Sequence, residues 1–157
     1  MSVTNKIKAL MRMHGKKNFE LVEHLGLVRP QALTNKYSRG SFSCEDLIRI
    51  AAFLDCELAF IALDTQKITL EVSDILESRI TNKIKALLQM HGKKNTELAE
   101  YLGFAHQQTL INKFKRGSFS AEDLIKFAAF LDCELVFITS DAQKITLNTS
   151  DIRENCD

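Results

Sequence analysis

Residues 4–75 of this 157-residue chain align with residues 81–152 at a constant offset of 77, without a gap, and about 50 of the 72 paired positions are identical. A sequence written twice constrains the fold more than any composition does, because whatever one copy forms the other must form too. The period exceeds that of solenoid repeats and is long enough for each copy to hold a small core. The expected division is into two homologous domains, residues 1–76 and 77–157.

Within a copy the hydrophobic period changes once. TNKIKALMRMHG predicts a first helix with Ile7, Leu10 and Met11 inward, Thr4 as cap and Gly15 as stop. Lys16, Lys17 and Asn18 then make a basic turn. NFELVEHLG, or NTELAEYLG in the second copy, predicts a short second helix with Leu21 and Leu25 inward, ended by Gly26 where a left-handed residue is needed. A third helix follows and stops at Gly40. Ser43 with Asp46 three residues later caps a fourth helix, EDLIRIAAFL, with Phe42 stapled onto Leu47 and an inward side of Leu47, Ile48, Ala51 and Leu54. Ser120, Asp123, Phe119 and Leu124 repeat that arrangement.

After Asp55 the pattern becomes extended: ELAFIAL, a turn at Asp64 to Gln66, then KITLEV, with ELVFITS and KITLNT as counterparts. The spacing predicts a β-hairpin per copy with one face on the helices, so the fold class is mainly α with small β-hairpins (α+β). Unpaired hairpin edges invite pairing between the copies. The joint from Ser73 to Ile80 holds no Gly or Pro and predicts a stiff helical connection, capped by Ser73 and running into Thr81. Arg153 to Asp157 are expected to fray.

No apolar run approaches the roughly 18 residues of a membrane span, and Met1 to Lys8 lacks the apolar core of a secretory signal. A cytoplasmic location in a bacterial or phage-type cytosol, near the nucleoid and away from membranes, is expected. Cys44, Cys56, Cys133 and Cys156 form no CxxC or Cys/His cluster, so reduced, mostly buried thiols are expected and neither a disulfide framework nor a metal site. His14, His24 and His91 read as structural. No nucleophile, acid–base pair or phosphate loop stands out, so neither an enzyme nor a cofactor is expected.

The net charge of +1 argues against nucleic acid until its distribution is considered. Residues 4–44 carry eight cations against two acids, and residues 45–75 seven acids against two cations. The second copy repeats the contrast, and no acid lies between Glu23 and Glu45 or between Glu100 and Glu122. Those acid-free stretches contain the third helix, VRPQALTNKYSRGSFSCE from Val28 and AHQQTLINKFKRGSFSAE from Ala105. Placing Leu33 and Tyr37 inward exposes Gln31, Thr34, Asn35 and Ser38. Burying Leu110 and Phe114 exposes Gln108, Ile111, Asn112 and Lys115. Such an amide-rich, uncharged or cationic face suits base edges in a major groove, where Gln and Asn can pair bidentately with adenine.

The succession of a first helix, ELAEYLG, a glutamine-bearing third helix, KRG and the capped SAEDLIKFAAFL resembles the lambda repressor-like (Cro-type) helix-turn-helix family, in both copies. The likeness covers Thr4 to about Cys56 and Thr81 to about Cys133, with a turn and third helix slightly longer than the commonest form. It implies a second helix across the phosphates, a third helix in the major groove and, with the hairpins as the joining element, a pseudo-dimer. Base contacts are expected from Arg29, Gln31, Thr34, Asn35 and Ser38, and from His106, Gln108, Ile111, Asn112 and Lys115. Phosphate contacts are expected from Lys16, Lys17, Lys36, Arg39 and Ser41, and from Lys93, Lys94, Lys113, Arg116 and Ser118. The function so implied is sequence-specific binding of double-stranded DNA by a transcriptional regulator, a repressor in the simplest case, on an imperfect inverted repeat. The alternative is a helix-turn-helix-derived module that grips a protein partner, such as a toxin or a polymerase subunit, with little DNA binding; Pro30 and the low net charge leave room for it.

Overall fold

The structure is a computed structural model describing residues 2–64 and 66–152. It is mixed α+β. The first copy contributes α1 (Val3–Met13), α2 (Asn18–His24), α3 (Pro30–Arg39), α4 (Cys44–Phe53), β1 (Glu57–Ile61), β2 (Lys67–Leu70) and a short α5 (Val72–Leu76). The second contributes α6 (Ile80–Met90), α7 (Asn95–Tyr101), α8 (Gln107–Arg116), α9 (Ala121–Phe130), β3 (Glu134–Ile138), β4 (Lys144–Leu147) and a 3-10 turn, Thr149–Asp151.

Most helix ends follow the local chemistry of the sequence. Gly15, Gly26 and Gly40 adopt φ near +63°, +70° and +65°, and Ser43 with Asp46 forms a reciprocal capping box at the start of α4. Ile7, Leu10, Met11, Leu21, Phe42, Leu47, Ile48, Ala51 and Leu54 are buried, and Leu25 is partly buried against the core.

Two expected caps are corrected. Ser2, not Thr4, caps α1, its hydroxyl accepting from the Asn5 N–H at 3.1 Å. Thr4 is buried two residues further on, where its hydroxyl donates to the Tyr37 carbonyl at 2.8 Å; Thr81 does the same to Phe114 at 2.7 Å. A buried hydroxyl needs a partner, and a carbonyl near the C-terminus of α3 has no intrahelical one. The joint is also corrected. Glu71, not Ser73, caps a short α5, its N–H donating to Asp74, and Ser78 then takes φ +56°, so α5 and α6 are separate helices rather than one rod. The expected fraying of Arg153 to Asp157 lies outside the described residues.

The two hairpins share one antiparallel sheet of order β2-β1-β3-β4. Its central register sets Ala59 opposite Val136, with Glu57 opposite Ile138 and Ile61 opposite Glu134. Ala59 and Val136 are equivalent under the 77-residue offset, so the register is symmetric between the copies. Leu58, Ala59 and Phe60 are all buried, so β1 departs from the expected single covered face; it is a central strand with Thr69 and Val136 flanking Ala59.

The copies also interlock through their first helices. Lys6 of α1 reaches the Asp151 carboxylate at 2.6 Å and the Thr146 carbonyl at 2.5 Å, both in the second copy. Lys83 of α6 reaches Asp74 at 2.7 Å and the Thr69 carbonyl at 2.6 Å, both in the first.

Candidate nucleic-acid interface

Helices α3 and α8 owe their orientation to two apolar side chains each. Leu33 and Tyr37 bury one face of α3, and Leu110 and Phe114 bury the same face of α8. Burial pushes the Tyr37 phenol above its usual range, and its hydroxyl reaches Asn18 Oδ1 at 3.2 Å, tying α3 to the start of α2. The opposite face is exposed at Gln31, Thr34, Asn35 and Ser38, and at Gln108, Asn112 and Lys115. Ile111 departs from expectation: it is partly buried, since it stands at the flank of the stripe that Leu110 and Phe114 bury. Arg29 and His106 are the exposed residues immediately before each helix, in extended conformation, and neither first turn carries an acid.

The amides on the two faces are ordered in the same way. Gln31 Nε2 donates to Asn35 Oδ1 at 3.1 Å, and Gln108 Nε2 to Asn112 Oδ1 at 3.0 Å. Each pair is one helical turn apart, so the bond lies along the helix surface and fixes two flexible side chains together. What remains outward is the Gln carbonyl as acceptor and the Asn amino group as donor. Thr34 donates to the Pro30 carbonyl at 3.4 Å, which Ile111 cannot imitate.

Among the expected phosphate ligands two are redirected. Lys36 Nζ lies 2.6 Å from Asp46 Oδ2 and Lys113 Nζ 2.8 Å from Asp123 Oδ2, so these ammonium groups already neutralise the capping carboxylates of α4 and α9. In the free protein these pairs tie each third helix to the next. Proximity decides it: a lysine near the end of α3 is carried by the glycine turn back over the first turn of α4. The other candidates are exposed. Lys17 and Lys94 stand at the starts of α2 and α7. Lys16 and Lys93 lie over the Phe53 and Phe130 rings at 5.4 and 5.5 Å. Arg39 and Arg116 close the last turns of α3 and α8, followed after one glycine by Ser41 and Ser118.

No local sequence rule joins the two exits. Ser43 and Ser120 form an isolated antiparallel bridge; the Cys44 N–H donates to the Phe119 carbonyl and the Ala121 N–H to the Phe42 carbonyl, both at 2.8 Å. One open groove of about 480 Å³ is consequently lined by Lys36, Ser41 and Ser43 from one copy and by Lys113, Ser118 and Ser120 from the other. Burial at this junction pushes the Cys44 thiol up to about 12. No group of three or more metal-ligating side chains is present among the described residues, and no described helix is long and apolar enough to cross a membrane. The chain matches no protein-family model, no curated protein and no solved structure.

Proposed function

We propose that the chain binds double-stranded DNA sequence-specifically as a single-chain pseudo-dimer of lambda repressor-like helix-turn-helix units, and regulates transcription by occupying an imperfect inverted repeat. The observation that carries this reading is the pair of exposed, acid-free helices α3 and α8, with the same Gln–Asn pair on each and their exits lining one groove. A duplex offers two major-groove faces one helical turn, about 34 Å, apart. A protein with a two-fold arrangement of recognition helices meets both at once, and the symmetric central register of the sheet supports such an arrangement.

Each side chain then has a distinct task. The Gln acceptor and Asn donor left outward by the intra-helix bond match the N6 amino group and N7 of adenine. Arg29 and His106 enter from the helix starts, and Thr34, Ser38, Ile111 and Lys115 read flanking positions. Lys16, Lys17, Arg39 and Ser41, with Lys93, Lys94, Arg116 and Ser118, hold the backbone and set the register. Lys36 and Lys113 hold α3 and α8 in place rather than touching DNA.

Six cationic contacts predict a slope of log affinity against log salt of about −5. Selection of bound sites from random duplexes, followed by titration at several salt concentrations, tests the reading. A selected site with two related halves and a slope of that order supports it. Retention on bulk DNA that ignores salt, with no enriched sequence, overturns it in favour of a protein-interaction module.

A further inference from the structure

Two thiols meet two imidazoles in places that no spacing in the sequence connects. Cys56, at the joint between α4 and β1, has its Sγ 3.8 Å from Nε2 of His14 at the end of α1. Cys133 stands 3.7 Å from Nε2 of His91 in the second copy. Both histidines direct Nδ1 at a helix carbonyl, Leu10 and Leu87, each at 2.9 Å. A carbonyl oxygen can only accept, so Nδ1 carries the proton and the lone pair of Nε2 faces the sulfur. A ring nitrogen fixed by a backbone carbonyl on its far side is the state in which histidine binds a metal.

We propose that each of these pairs is a binding site for a thiophilic divalent cation of the zinc class, two per chain, independent of DNA binding. Metal–sulfur and metal–nitrogen bonds of about 2.3 and 2.0 Å span a sulfur–nitrogen separation of 3.7 to 3.8 Å at an angle of roughly 120°. The two donor atoms are therefore spaced to share one ion. Neither sulfur is sealed away: Cys56 and Cys133 are partly exposed, in contrast to the buried Cys44. The carboxylate environment is reciprocal as well. Asp141, in the hairpin turn of the second copy, acts electrostatically on Cys56 and His14, and Asp64, in the first hairpin turn, acts on Cys133. Each cysteine thus lies in the field of its own copy's Asp55 or Asp132 and, more weakly, of a carboxylate from the other copy. Two side chains leave the remaining coordination positions to water, so binding displaces the thiol proton to solvent and forms one metal–sulfur and one metal–nitrogen bond without redox change.

The bland competitor is a thiol–imidazole hydrogen bond and nothing more, and cobalt(II) separates the two. The reduced, chelator-treated full chain, carrying Cys156→Ser to remove the tail thiol, is titrated with cobalt(II) and then with zinc. The expected result is a near-ultraviolet thiolate-to-cobalt absorption that saturates at two ions per chain and is displaced by zinc. It should halve in Cys56→Ser or Cys133→Ser and vanish in the double variant, whose circular dichroism and thermal midpoint show it still folded. His14→Gln with His91→Gln, cysteines intact, should weaken cobalt binding by about ten-fold or more. Absence of the absorption in the folded chain, its survival in the double serine variant, or unchanged affinity in the histidine variant each overturns the proposal. None of these outcomes touches the DNA reading, which is measured by salt-dependent duplex binding.

Discussion

At the scale of single residues, the separation of Lys36 from Arg39 is the sharpest consequence of the geometry. Both lie in the last turn of the same acid-free helix, yet Lys36 is held by Asp46 while Arg39 is exposed. Lys36→Ala is expected to lower stability by about 0.5 to 1 kcal/mol, the range of a partly exposed pair, with base preference unchanged. Asp46→Ala should cost more, about 1 to 2 kcal/mol, because it also removes the reciprocal cap of α4. Arg39→Ala and Arg116→Ala should leave the thermal midpoint alone, weaken every duplex alike and lower the salt slope by about one each. A change of preferred sequence in either arginine variant would move those residues among the base readers. Cys44 makes a second prediction, read by pH. Burial pushes its thiol up from the ordinary 9.0 to about 12, so the folded state holds the proton more tightly than the unfolded chain. Stability from this group is complete below about pH 9 and falls as pH rises from there towards 12. Cys44→Ala, which installs the residue the second copy has at Ala121, should flatten that alkaline loss in denaturant melts at pH 7 and pH 10. Steeper alkaline loss in the alanine variant would contradict the sign.

At the scale of elements, α3 and α8 are alike in scaffold and different in surface. Gln31 and Asn35 recur as Gln108 and Asn112, while Arg29, Pro30, Ala32, Thr34 and Ser38 give way to His106, Gln107, Thr109, Ile111 and Lys115. The half-sites should share a core and differ at the flanks. Grafting residues 29–38 over residues 106–115 should convert the selected site to a perfect palindrome, each mismatched pair costing roughly 1 to 3 kcal/mol in competition. The graft is structurally permitted, since Asn95 stands where Asn18 does and can receive the incoming tyrosine hydroxyl. Persistence of the original asymmetric preference would sink the recognition-helix assignment. These elements were legible because their rules are local. Glycine at a helix end, serine three residues before aspartate and apolar residues a turn apart act within a few residues of one another. What escaped is carried by distant partners: Lys6 with Asp151, Thr4 with Tyr37, His14 with Cys56. Lys36 with Asp46 is closer, but needs the α3–α4 turn to bring them together. Thr4 was misread because a threonine before an apolar run satisfies the cap rule equally well whether or not a serine two residues earlier takes the cap.

At the scale of the whole molecule, each copy is completed by the other. The ammonium of Lys6 is held by a carboxylate 145 positions away whose side chain is 2% exposed, and Lys83 is held by Asp74 at 1%. Removing Lys6 strands a buried carboxylate, so Lys6→Ala should destabilise the fold by roughly 3 kcal/mol, and Lys83→Ala by less, since Arg79 stays 3.6 Å from Asp74. The same two lysines occupy the Thr146 and Thr69 carbonyls of β4 and β2, the outer strands, and so discourage further strand addition at either edge. Residues 1–76 expressed alone keep Asp74 without Lys83 and Lys6 without Asp151, and lose the partner strand of β1. A copy-one homodimer would restore both ion pairs but would place Ala59 against Ala59, and a copy-two homodimer Val136 against Val136. The native register sets the smaller residue against the larger, filling the centre of the sheet once. The expectation is therefore ordered: either half alone melts well below the full chain, and equimolar mixing recovers a complex of full-chain size with a higher midpoint than either half. Gel filtration and thermal circular dichroism on the two halves and their mixture decide it. A residue 1–76 fragment that unfolds cooperatively as a monomer at the full-chain temperature would show the copies to be self-sufficient, and the interlock to be an addition to the fold rather than part of its foundation.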